Sequence, residues 1–186
     1  MIQAWFVTVL PVMFLVVLFG GEGAFKKRNI DMGGEPPINR AVFLASKYLI
    51  VLLWAAMVVH CWDINLSFFA PPGFARPAAL ALWAAGFSLL LAGRFTMGSS
   101  FRIGSPREST GLKVGGLFRF SRNPMYLGVF STLAAAVLCT FNPLVLLLAT
   151  FIAAAHHRIV LAEEEYLKKA FGQEYLAYCA RVRRYI

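Results

Sequence analysis

Five apolar runs, each near the length that crosses a bilayer, dominate a chain of only 186 residues. They are Ala4 to Phe19, Ala41 to Trp62, Pro77 to Leu91, Met125 to Thr140 and Leu144 to Ala155. In hydrocarbon every backbone N–H and C=O must be paired within the segment, and a helix does this unaided. The runs therefore predict an all-α integral membrane protein with about five transmembrane helices. With 59% hydrophobic and 15% charged residues, the chain is too apolar for an ordinary soluble domain. No Lys or Arg precedes the first run, so it lacks the basic start of a cleaved signal peptide and is read as a span. Lys47 and Tyr48 interrupt the second run near its start, where a lysine can snorkel to the interface.

The connections arrange these spans. Only Phe141-Asn142-Pro143 separates the last two runs, a turn too short for anything but an antiparallel C-terminal helical hairpin. The hairpin returns the chain to the membrane face it left, so Arg122-Asn123-Pro124 and Glu163-Glu164-Glu165 are expected on one face. Basic residues cluster in the first loop (Lys26, Lys27, Arg28, Arg40), in the long connection from Arg94 to Arg122, and from Arg158 onward. The intervening connectors carry only Arg76. By the positive-inside rule the N-terminus lies outside and the C-terminus in the cytosol. Residues 1–94 form an N-terminal unit of three transmembrane helices and residues 95–186 a second unit of cytosolic loop, hairpin and C-terminal helix. The net charge of +9 sits beside apolar spans, which fits anionic lipid headgroups and sets nucleic acid aside.

The polar groups concentrate at two places. Asn123 suits a helix N-cap and Pro124 the first helical position, because an N-cap oxygen accepts from an orphan N–H and proline has none to leave unpaired. With Arg119 and Arg122 alongside, that helix start is suited either to a bound carboxylate or phosphate or to anchoring at the membrane surface. Three adjacent glutamates at the C-terminal end of a helix repel one another and oppose its dipole. Glu164 has Lys168 four residues on and Glu165 has Lys169, both in the favourable order. Glu163 has Leu167 there, which leaves it as the carboxylate for a cationic ligand. Arg158 lies two turns before Glu165 and nearer the hydrocarbon, where an ionised group snorkels, pairs or faces a cavity.

Other features are weaker. Leu167, Phe171, Tyr175, Tyr178 and Val182 recur at steps of three and four, predicting a short amphipathic cytosolic helix, with Gly172 as a place to bend. His156 and His157 point about 100° apart on a helix with no carboxylate spaced to complete a metal site, so they read as interfacial and no metal is expected. Gly111, Gly115 and Gly116 follow no strand and so do not make a phosphate loop. Cys61, Cys139 and Cys179 lack disulfide or metal spacing and read as packing residues.

The segment Gly115-Gly116-Leu-Phe-Arg-Phe-Ser-Arg-Asn-Pro-Met-Tyr-Leu-Gly128, the Asn142-Pro143 turn, and Glu163-Glu164 followed by Phe171-Gly172-x-x-Tyr175-x-x-Tyr178 resemble the isoprenylcysteine carboxyl methyltransferase family and its relatives among phospholipid methyltransferases. The resemblance covers about Lys113 to the C-terminus. It implies a cytosol-facing S-adenosylmethionine pocket with Gly116, Phe118, Arg122, Asn123, Pro124, Tyr126, Glu163 and Glu164 at the cofactor, and Arg158 and Glu163 in catalysis. The implied partners are membrane lipids and a lipophilic or prenylated methyl acceptor. Two departures stand out: Asn123 replaces the histidine of many members, and Arg158 precedes Glu163 by five residues where the family arginine precedes its glutamate by four. A carboxylate acceptor requires a cationic clamp, whereas an amine acceptor requires a base. The resemblance implies O-methylation of an isoprenylcysteine-like carboxylate first, then phospholipid N-methylation. A non-enzymatic membrane scaffold and a membrane reductase that binds a nicotinamide cofactor are the readings that compete with it.

Overall fold

A computed structural model describes residues 1–20, 36–98 and 111–186. Among them all regular structure is helical: α1 (Ile2–Phe19), α2 (Arg40–Cys61), α3 (Ala75–Met97), a 3-10 turn (Gly116–Arg119), α4 (Pro124–Thr140) and α5 (Pro143–Arg181). Four of these helices, α1, α2, α3 and α5, are long and apolar enough to cross a membrane. α4 is apolar but only 17 residues long. Arg102, Arg107 and the Lys26 to Asp31 cluster lie outside the described residues.

Helix boundaries follow local chemistry. Asn39 accepts from the Ala41 and Val42 amides and caps α2, and Asn142 accepts from Leu144 N–H at 2.9 Å and caps α5. Phe141 takes the left-handed conformation that ends α4 (φ 45°), and Asn142 Nδ2 donates to the Leu66 carbonyl at 2.7 Å, tying the hairpin turn to the connector after α2.

Two expectations are corrected here. The third span does not stop at Leu91: α3 continues to Met97, and Arg94 is buried within it with its guanidinium donating to the Gly98 carbonyl. The last span does not end near Ala155, and the terminal helix begins only after a kink at Gly172. α5 runs through the glutamates, so the three carboxylates sit in mid-helix, and the break comes later, at Gly172 (φ 50°, ψ −120°). At about 1.5 Å per residue the part of α5 before Gly172 is roughly 44 Å long, more than a bilayer core, so its apolar first half spans and the glutamates project beyond.

Packing in hydrocarbon gains little from the hydrophobic effect, so close backbone approach and polar ties between helices matter more. α3 and α4 form the most extensive pairing, made possible where Gly86 faces Gly128. A methyl group at Gly86 would stand 2.8 Å from the Gly128 carbonyl oxygen. Trp83 Nε1 donates to the Val7 carbonyl (3.1 Å), linking α3 to α1, and Trp54 Nε1 to Thr132 Oγ1 (3.0 Å), linking α2 to α4. Phe14, Trp54, Trp83 and Phe87 stack edge-on or tilted around the centre. The result brings the end of α1, the start of α2, the end of α3, the start of α4 and the middle of α5 to one end of the bundle, around a common cavity.

Candidate active site

The polar end of that cavity is built on the turn into α4. Pro124 opens the helix and Asn123 stands at the N-cap, but the Asn123 side chain does not cap. Its amide donates instead to Glu164 Oε1 (3.1 Å) and to the Arg184 carbonyl (3.2 Å), while Ser121 Oγ accepts from Asn123 N–H. Arg122 donates through Nε and Nη2 to the same Glu164 oxygen, at 3.1 and 3.0 Å, and through Nη1 to the Val182 carbonyl at 2.8 Å. Arg184 closes the set on Glu164 Oε2 at 2.9 Å.

Glu164 is therefore held by two guanidiniums and an amide, with 12% of its side chain exposed. Burial acts to lower the Arg122 pKa, but the Glu164 charge and the bonds to it outweigh burial and hold it above the ordinary guanidinium value. This network also holds the chain end, since Arg122 N–H donates to the Arg183 carbonyl and Ser121 Oγ to that of Arg184. The expected Glu164 to Lys168 pair is absent among the described residues because a tertiary partner set has displaced it. The Glu165 to Lys169 pair is present at 3.9 Å on the exposed face.

Glu163 has no helix-neighbour partner, as its spacing implies, but it is not free: Tyr126 Oη donates to Glu163 Oε1 at 2.9 Å. Both residues line the cavity, and Glu163 is the one Asp or Glu among the described residues that does so. Beyond Gly172, Tyr178 Oη donates to the Phe118 carbonyl at 2.6 Å, which fixes the terminal helix on the 3-10 turn. Tyr175 is buried alongside, and among the described residues its hydroxyl has only the weak Cys179 thiol beside it.

Of the residues singled out in the sequence, the structure brings Phe118, Arg122, Asn123, Pro124, Tyr126 and Glu163 to the cavity wall. Gly116, Glu164 and Arg158 are not part of that wall. Gly116 (φ 60°) shapes the turn against Thr96, Glu164 locks the scaffold, and Arg158 is exposed on α5. His156, read as interfacial, is instead buried: its Nδ1 lies 2.9 Å from the Ile152 carbonyl and its ring 6.0 Å from that of Tyr126. His157 is exposed against Tyr185. Among the described residues no group of three or more His, Cys, Asp or Glu is placed to hold a metal ion.

Lys47 is a cavity residue that sequence reasoning missed, as are Lys113 and Tyr166. Lys47 sits on α2 with its ammonium 3.7 Å from the Phe43 ring centroid, and it lines the cavity. The available signal was a lysine two turns inside an apolar run. The other end of the cavity is apolar, walled by Phe14, Leu15 and Leu18 of α1 and by Ile50, Val51 and Trp54 of α2. Its volume, about 590 Å³, lies within the usual range for small-molecule sites.

Comparison with known proteins identifies a family. A search of curated proteins and a search of solved structures returned no match. The family described as phospholipid methyltransferase matches residues 75–174, from the start of α3 to just beyond Gly172. That match covers more than half of the chain, including the α4 start and the glutamates, and the family it identifies includes the isoprenylcysteine carboxyl methyltransferases: this protein is a member of the phospholipid methyltransferase family and a membrane methyltransferase.

Proposed function

We propose that the protein transfers a methyl group from S-adenosylmethionine to a lipophilic acceptor at the cytosolic membrane face, foremost an isoprenylcysteine-like carboxylate. The observation that carries this reading is the two-ended cavity, polar where α4 begins and apolar between α1 and α2. The residues present fit the cofactor. The buried Tyr175 hydroxyl, with only the weakly accepting Cys179 thiol beside it, has capacity for a polar ligand atom, and Glu163 offers a carboxylate to a cationic or hydroxyl-bearing ligand. S-adenosylmethionine, when bound, supplies a methyl group on a positively charged sulfur.

The protein's own part is to orient and to exclude water. Tyr126 holds the Glu163 carboxylate in one position, and the Arg122–Glu164–Arg184 network fixes the α4 start against the chain end. In this reading residues 95–186 hold the cofactor and residues 1–94 the acceptor. Methylating a carboxylate moves no proton. Methylating an amine requires one to leave, and Glu163 is the carboxylate lining the cavity; the second reading, phospholipid N-methylation, rests on this. The test is incubation of membranes and purified protein with methyl-labelled S-adenosylmethionine and either prenylated thiols or native lipids. Label should enter an organic-extractable product, and transfer to small soluble acceptors alone would refute the lipophilic acceptor.

A further inference from the structure

Three cations, Lys47, Lys113 and Arg122, line the cavity, and Glu163 is the one carboxylate among the described residues that does so. Arg122 is committed to Glu164 and to carbonyls of the chain end. Lys113 is exposed at the polar mouth. Lys47 differs from both. It is half-buried two turns into α2, and among the described residues its ammonium makes no hydrogen bond or ion pair, only the contact with the Phe43 ring. Glu163, already bonded to Tyr126, lies near enough for the two charges to act on one another but beyond ion-pair distance. A half-buried ammonium is costly unless it has a partner, and among the described residues no carboxylate stands within ion-pair distance of it. Lys47 shares the cavity wall with Tyr126 and Glu163 and with the apolar Ile50, Val51 and Trp54.

We propose that Lys47 anchors the oxyanion of an amphiphilic acceptor, the head held by the ammonium and the chain lying in the apolar space between α1 and α2. The proposal deepens the function given above. It also gives a role to a helix outside the family-matched residues, which begin at 75. A lysine ammonium recognises an oxyanion as a point charge with three donors, so a carboxylate and a lipid phosphate present the same chemistry to it.

The test uses the purified full-length chain in uncharged detergent without cofactor, reading binding by quenching of tryptophan fluorescence, since Trp54 lines the apolar end. The probes are N-acetyl-S-farnesylcysteine, its uncharged methyl ester, and dioctanoyl phosphatidic acid. At least one anionic probe should bind about tenfold to a hundredfold more tightly than the ester. That preference should disappear in Lys47→Met and Lys47→Gln, persist in Lys47→Arg, and be unaffected by Lys168→Gln, an exposed lysine outside the cavity wall. Which anionic probe depends on Lys47 identifies the head as carboxylate or phosphate. A preference that survives both neutral substitutions in protein of unchanged thermal stability overturns the proposal, as does binding of the ester as tight as that of both anions. Because no cofactor is present, failure of S-adenosylmethionine binding would refute the methyltransferase reading without changing this result.

Discussion

Each of the three consecutive glutamates has a different partner, and this sets what each substitution should do. Glu164 is surrounded by Arg122, Arg184 and Asn123, so Glu164→Gln leaves two guanidiniums facing a neutral group in a mostly buried site. It should cost about 2–3 kcal/mol of stability, read as a lowered thermal midpoint in detergent. Glu165→Gln removes one exposed i,i+4 pair and should change stability by less than about 0.5 kcal/mol. Glu163→Gln keeps an acceptor for Tyr126 Oη and should fold normally, its effect falling on ligand binding. Sequence spacing separated Glu163 from its neighbours correctly. It did not separate Glu164 from Glu165, because both have a lysine at i+4 and the partners of Glu164 are 20 and 42 residues distant. Long-range ion pairs leave no local periodicity to detect, and Asn123 misled for the same reason: its type suits an N-cap, but an amide near a carboxylate is used as a donor.

Among the elements, α4 and α5 were the more legible pair. A turn of Phe141-Asn142-Pro143 between two apolar runs forces a hairpin, and Pro124 marks where α4 begins. The continuity of α5 was not legible, since a charged stretch after a span reads as a helix end although good helix formers carry it through to Gly172. Two glycines test the element-scale account in different ways. At Gly86 an added methyl would meet the Gly128 carbonyl and the Thr132 side chain, so Gly86→Ala should force α3 and α4 apart and cost about 1–3 kcal/mol. At Gly172 nothing lies within 4 Å of the added methyl, and the cost is conformational alone, about 1–3 kcal/mol for an L-residue at φ 50°. Thermal unfolding should show both losses. Gly172→Ala should in addition weaken ligand binding, because Tyr175 and Tyr178 are placed by the break.

For the whole molecule, the gathering of five helix segments at one end of the bundle determines where chemistry can occur. The all-helical membrane class was readable from run length alone. The contribution of α1 and α2 to the cavity was not, because an apolar side chain facing a cavity and one facing lipid are the same in sequence. The proposed orientation, with the cavity end in the cytosol, makes a separate prediction. In a variant lacking the native cysteines, a cysteine at Asn65 should react with an impermeant maleimide in intact cells. One at Lys113 should react only after permeabilisation, and the reverse pattern would place the site on the opposite face.

The central claim is that Glu163, held by Tyr126 in a cavity lined in part by Tyr175 and Tyr178 of the terminal helix, contacts S-adenosylmethionine. Calorimetric titration of S-adenosylmethionine into the purified parent, Glu163→Gln and Glu165→Gln measures this directly. The account predicts binding to the parent and to Glu165→Gln with similar affinity, and binding about tenfold to a hundredfold weaker to Glu163→Gln at unchanged thermal stability. Equal affinities in all three proteins, or no binding to the parent, would contradict it.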